Sequence, residues 1–294
     1  MSYLPCELFC RVEENKTAKD VLDFAQKDHL AVIAMVDEDV VGGELPVIPA
    51  SNAKLGNIGV TSFGGTYHLD ESVNADENIS KAKAFGGVAG VSLLDNSDEH
   101  SIRNWRNVDF VEIWHGAFSF DNTYNEKAMA LWDKLLDSGC HIGCIYARDT
   151  EGAMDINSHY GCTYVDIDGE INEHNAVRGI RMGKTVASTG VKFFFRVHQK
   201  GNTYSIGETL KKGNAVFSFF TDLHSREKNA GTEEVEYNII KLITNGGECV
   251  MQSASTERHI SVNLKRNQWY RAELWGKVDG VSKILAVTSP IYTA

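Results

Sequence analysis

Short apolar runs alternate with amphipathic stretches through the first two-thirds of the chain. Thr17 to Lys27 (TAKDVLDFAQK) places Val21, Leu22 and Ala25 on one face, with Thr17 as the N-cap, and so predicts a helix. Leu30 to Val36 (LAVIAMV) follows as a strand buried on both faces. Ile79 to Ala84 reads as a short helix, stopped by Gly86-Gly87 before a second buried strand, VAGVSLL. Phe110 to Trp114 (FVEIW) predicts a third strand. Asn125 to Ser138 (NEKAMALWDKLLDS) is the clearest helix, with Gly139 at its C-terminal stop and the strand HIGCIYA directly behind it. Helix and strand in alternation predict parallel strands joined by crossover helices.

Beyond about residue 190 the period changes from helical spacing to strand alternation: KFFFRVHQ, AVFSFFTD, VEYNIIKLITNG, HISVNLK, WYRAELWGKV and KILAVTS, separated by turns such as Asn245-Gly246-Gly247 and Asp279-Gly280. An α/β part over residues 1–190 and an antiparallel β-rich module over 191–294 are therefore expected. Composition adds little, since 43% hydrophobic and 23% charged residues are near globular averages. Charge adds more. A formal net charge of −11 repels polyanions, so nucleic acid is not expected as a partner. No apolar run approaches the roughly 18 to 20 residues that span a bilayer, and MSYLPCELFC lacks the basic start and apolar core of a secretion signal, so no membrane partner and a cytoplasmic location are expected. Six scattered cysteines in a chain of 294 residues read as reduced thiols. Cys140, His141 and Cys144 raise a zinc site, but no second ligand cluster accompanies them, and buried small apolar residues are the better reading.

In open or barrel-shaped α/β sheets ligands gather at the C-terminal ends of the parallel strands. Those ends carry Phe9-Cys10-Arg11, Val36-Asp37-Glu38, Ser92-Leu93-Leu94, Glu112-Ile113-Trp114-His115 and Arg148-Asp149-Thr150-Glu151. This order, together with Leu131-Trp132-Asp133-Lys134-Leu135-Leu136 before Gly139, the segment Arg181 to Gly190 (RMGKTVASTG) and the closing Ala286 to Tyr292 (AVTSPIY), resembles the PHP (polymerase and histidinol phosphatase) superfamily, and within it the CehA/McbA-type metallohydrolases. The resemblance implies an α/β fold built as a distorted PHP-like β/α (TIM-like) barrel followed by a smaller antiparallel β-rich C-terminal module, and an ancestry in metal-dependent phosphoester hydrolysis.

It also implies where the metal ligands should stand, and most are gone. The paired imidazoles expected after the first strand are Phe9 and Arg11, the imidazole after the second strand is Glu38, and the later Gly-Gly strand ends in Leu93 where a histidine is expected. Only Asp149 keeps a ligand identity, with Glu38 and Glu151 as remaining oxygen donors. Phenylalanine and leucine cannot ligate, and the permanent charge of arginine repels a divalent ion, so a multi-metal centre and its activated water are not expected.

Three readings follow for this edge. Arg11 and Arg148 pair with Glu7, Asp37, Glu38, Asp149 or Glu151 as a structural network; or the two guanidinium groups, with His115 beside them, hold a small phosphate or carboxylate; or Glu38, Glu112, Asp149 and Glu151 hold one divalent cation, Mg, Mn or Zn, with Asp149, Glu151 and Glu38 as the acid and base of a surviving hydrolase. No cofactor is expected apart from that single cation. The expected function is thus a phosphoesterase homologue altered or inactive as a hydrolase, a pseudoenzyme that binds a small anion. A noncatalytic scaffold whose β module meets a partner is the alternative from another class.

Overall fold

A computed structural model describes residues 2–12, 14, 16–38, 43–93, 101–115, 123–147, 161–222, 235–254, 259–278 and 281–294. Its first part runs β1 (Ser2–Cys10), α1 (Ala18–Lys27), β2 (Val32–Val36), β3 (Val47–Leu55), β4 (Ile58–Phe63), α2 (Ala75–Ala84), β5 (Val88–Leu93), β6 (Phe110–His115), α3 (Thr123–Asp137), β7 (Gly143–Ala147), β8 (Cys162–Ile167), α4 (Glu173–Arg181) and β9 (Thr185–Ser188). There follow β10 (Lys192–Gln199), β11 (Asn202–Ser205), β12 (Thr209–Leu210), β13 (Gly213–Asp222), β14 (Val235–Thr244), β15 (Glu248–Ala254), β16 (His259–Leu264), β17 (Trp269–Val278), β18 (Val281–Thr288) and β19 (Ile291–Thr293).

Fifteen of these strands form one mixed sheet in the order β12-β19-β17-β18-β9-β8-β1-β2-β3-β4-β5-β6-β7, with β14 and β15 branching from β17; β11-β10-β13-β16 make a second sheet. The expected TIM-like β/α barrel is not found. A barrel of that kind needs parallel strands throughout, each followed by a helix, whereas β1 to β3 and β5 to β7 are two parallel runs joined through antiparallel β4, and β8, β9 and β18 pair antiparallel. The β3–β4 hairpin is the cause. It turns at Gly56 (φ 65) and reverses the chain within the series of parallel strands.

The free side of β7 is not laddered either. Hydroxyl groups reach it: Tyr146 N donates to Thr163 Oγ1 at 2.9 Å, Thr163 Oγ1 donates back to Tyr146 O at 2.8 Å, Cys144 N donates to Ser289 Oγ at 2.8 Å, and Thr185 Oγ1 donates to Cys144 O at 2.6 Å. The last parallel strand thus lies against β8 and β9 with its polar groups satisfied, which removes an open edge.

Three apolar clusters divide the core. Cys6, Leu8, Phe9, Val32, Ala34, Val36, Ile48, Ala147 and Val165 form the inner one, into which α4 sends Ala176, Val177 and Ile180. A side chain at Gly179 would meet Val165 Cγ1 at 2.7 Å and Asp166 O at 2.9 Å, so glycine is what lets this helix approach β8. A second cluster lies under α2 and α3, and the third joins α1 and the outer side of β1 and β2 to Phe193, Phe195, Phe217 and Phe219 of the second sheet. Thr17 caps α1 as the sequence predicts, in a capping box with Asp20.

Two polar ties cross the long-range contacts. In the first, Arg271 on β17 bonds Asp133 of α3 through Nε at 3.2 Å and Nη2 at 3.1 Å, bonds Glu273 through Nη1, and lies over the rings of Trp132 and Trp269. In the second, Ser205 Oγ donates to Asp166 Oδ2 at 3.3 Å and lies 3.2 Å from the Tyr3 hydroxyl, while Lys184 pairs with Glu208 at 3.2 Å. No helix among the described residues is long and apolar enough to cross a membrane.

Candidate functional site

β3 is parallel to β2, β4 reverses, and β5 reverses again, so β1, β2, β3, β5, β6 and β7 all end on one edge of the sheet. Regular alternation would send Phe9 and Cys6 to opposite faces. An irregularity in β1 prevents this: three steps from Glu7 to Cys10 are set against two from Ile33 to Met35 on β2. Leu8 and Phe9 consequently both enter the inner cluster and Cys10 turns to the outer one. Arg11, two residues on, follows the face of Phe9. Its guanidinium carbon lies 5.0 Å from the centre of the Phe9 ring and its Nη2 donates to Asn52 Oδ1 at 3.2 Å. Asn52 is itself oriented, since its Nδ2 donates to Val60 O at 3.2 Å and Thr61 Oγ1 at 2.9 Å on β4. The bond to the Asn52 amide helps fix the direction of the guanidinium.

β6 carries a second irregularity. Glu112 pairs with Ile145 and Trp114 with Tyr146, leaving Ile113 as an extra residue. Ile113 and Trp114 both enter the cluster under α2 and α3, so Glu112 before them and His115 after them share the other side. There His115 Nδ1 bonds Glu112 Oε1. The backbone N–H of His115 donates to Asn125 Oδ1 at 3.0 Å, from a buried residue in the first turns of α3. The carboxylate side chain is 4% exposed and the imidazole 39%, so the pair is sunk at its acidic end and meets solvent at its basic end.

The remaining predicted site residues separate. Glu38 is exposed behind Asp37, whose φ of 56 turns the chain at the end of β2. Leu93 packs against the cluster under α2 and α3, away from Phe9. Arg148, Asp149 and Glu151 lie outside the described residues. The geometry therefore brings Glu112 and His115 together and gives Arg11 to Asn52, a partner that the sequence reading missed. Asn52 stands in the hairpin, and the signal that could have found it is the Gly56-Asn57 turn between two apolar runs.

Among the described residues no group of three or more His, Cys, Asp and Glu side chains is placed to hold a metal ion. Cys140, His141 and Cys144 diverge: Cys140 is buried beside Ser138 Oγ at 3.4 Å, the His141 ring stacks on Tyr292 at 3.8 Å, and Cys144 faces Val287 O. Burial pushes the Cys144 thiol up to about 11, opposed by its bond with Ser289, which makes it a poor nucleophile or ligand at neutral pH. No protein-family model matches the chain, and no curated protein matches it in sequence.

Proposed function

We propose that the chain binds a small phosphate- or carboxylate-bearing molecule at the C-terminal edge of its parallel strands, as a relative of the PHP phosphoesterases whose multi-metal centre has been replaced and whose hydrolase chemistry is lost or altered. The observation that carries this reading is Arg11. It stands where the resemblance puts a metal-binding imidazole, it is braced over Phe9 and bonded to Asn52, and a planar guanidinium matches a phosphate or carboxylate in charge and shape. His115 lies on the same edge.

The kinship rests on the order of the motifs along the chain and draws nothing from the sheet. Glu112, one of the four carboxylates considered for a single divalent cation, is engaged by His115, which makes it less available as a ligand. A thiol-reducing cytoplasm suits a chain with five buried cysteines, and a net charge of −11 keeps nucleic acid out of this reading.

Calorimetric titration and thermal shift with inorganic phosphate, phosphate monoesters and small dicarboxylates test the proposal. Wild-type protein is expected to bind at least one of them saturably. Arg11→Ala is expected to weaken binding roughly tenfold to a hundredfold, the equivalent of about 1.5–3 kcal/mol for a charge-assisted bond, and Arg11→Lys to recover part of it, because a point charge replaces a fork. Equal binding by wild type and Arg11→Ala would contradict the assignment. Indifference to every anion favours the scaffold alternative.

A further inference from the structure

At the opposite end of β1, around the second polar tie, two buried polar atoms have no hydrogen-bond partner among the described residues. Asp166 is 2% exposed, and while its Oδ2 accepts from Ser205, its Oδ1 is buried without a hydrogen-bond partner among the described residues. The Nε of Arg196 on β10 is buried without one as well. Both flank a single residue: Ser205 bonds Asp166 directly, and Arg196 is the partner of Ser205 across the β10–β11 ladder. The two orphans are also complementary, a carboxylate oxygen that accepts and a guanidinium N–H that donates. Buried polar groups, and charged ones above all, are hydrogen-bonded in folded proteins, and where protein atoms do not serve them an enclosed water does.

We propose that a water molecule is enclosed at this seam, accepting from Arg196 Nε–H and donating to Asp166 Oδ1, as a resident ligand of the fold that couples the mixed sheet to the four-stranded sheet. The residues around it are themselves held in place. Tyr3 stacks on Phe194 at 4.5 Å, holding β1 against β10, and its hydroxyl fixes Ser205. Lys184 and Glu208 close the polar patch, with Glu208 Oε2 accepting from Ser205 N at 3.1 Å. A charge pair bridged by water stays hydrogen-bonded on both sides, whereas the same pair left dry and apart keeps two desolvated groups.

A crystal structure at a resolution that orders internal waters tests this directly. The expected result is one solvent peak within hydrogen-bond distance of both Asp166 Oδ1 and Arg196 Nε. A direct bond between those two atoms, or a gap without density, would overturn the proposal. A double-mutant cycle adds a solution readout: Asp166→Leu and Arg196→Met are each expected to lower the folding equilibrium constant at least tenfold, and the double variant no further than the worse single one, because the bridge is already gone. Strictly additive losses overturn the coupling. Asp166→Asn, which can still bond water, keeps the test open if a leucine variant does not fold, and is expected to retain the solvent peak.

Discussion

Arg271 and Arg11 are held in opposite ways, and the contrast separates what builds this molecule from what the molecule could use. Arg271 lies between Asp133 and Glu273, over two tryptophan rings and 3% exposed. Burial works against its charge, and the two carboxylates outweigh burial, so the guanidinium is held even more firmly in its charged form. Glu273 is fixed in turn by Trp275 Nε1, which donates to its Oε2 at 2.8 Å. Every charge there has an opposite charge beside it. Arg11 is only partly buried, lies over Phe9 and donates to the Asn52 amide oxygen. One arginine is spent inside the structure, while the other is aimed at an edge where strands end.

If that contrast is right, the largest effect comes from breaking the buried tie. Arg271→Met is expected to cost about 3–5 kcal/mol of folding stability by leaving two carboxylates without their cation, measured by denaturant unfolding, whereas Arg11→Met should stay within about 0.5–1 kcal/mol, as a partly exposed polar substitution does. Equal losses would erase the distinction. Next comes the closure of β7. Thr185→Val removes a hydroxyl that donates to Cys144 O and meets Ser289 Oγ at 2.8 Å, at a cost of about 1–3 kcal/mol for a buried carbonyl left unserved. Amide exchange should accelerate first at Cys144 to Ala147, and unchanged protection there would show that the hydroxyls do not hold the strand.

The smallest effect concerns pH. Burial raises the Asp166 carboxyl above its ordinary value, with Lys184 opposing. A raised value in the folded state means that folding favours the protonated acid. This contribution is therefore complete below the ordinary carboxylate range near about 3.9 and is lost as pH climbs through the raised value. Asp166→Asn should flatten that part of the stability-against-pH curve, and a wild-type curve already flat across it would remove the effect.

Most strands and three helices were legible because their signals are local. Thr17 with Asp20, the apolar run at Leu30 to Val36, and the alternation in KFFFRVHQ and WYRAELWGKV each depend on neighbours in sequence. The architecture was less legible. One hairpin at Gly56-Asn57 converts a parallel series into a mixed sheet, and the apolar runs on both sides of it are equally compatible with crossovers. The site was partly legible: strand ends named Arg11, Glu112 and His115, but alternation cannot say that Ile113 is an extra residue or that Phe9 turns inward with Leu8. Those two irregularities decide which side chains meet, and they arise from pairing between strands distant in sequence. The same limit hid Asn52 and the seam at Asp166, whose partners lie 41 and 39 residues away along the chain.

In the proposed function a fixed guanidinium at the strand edge takes the place of a metal cluster. Elemental analysis of the purified protein by plasma mass spectrometry tests it most directly. Less than one equivalent of zinc, manganese, iron or magnesium per chain is the predicted result, with phosphate binding intact after chelator treatment. Two or three tightly held transition-metal ions per chain, or phosphate binding that returns only when such ions are restored, would contradict it.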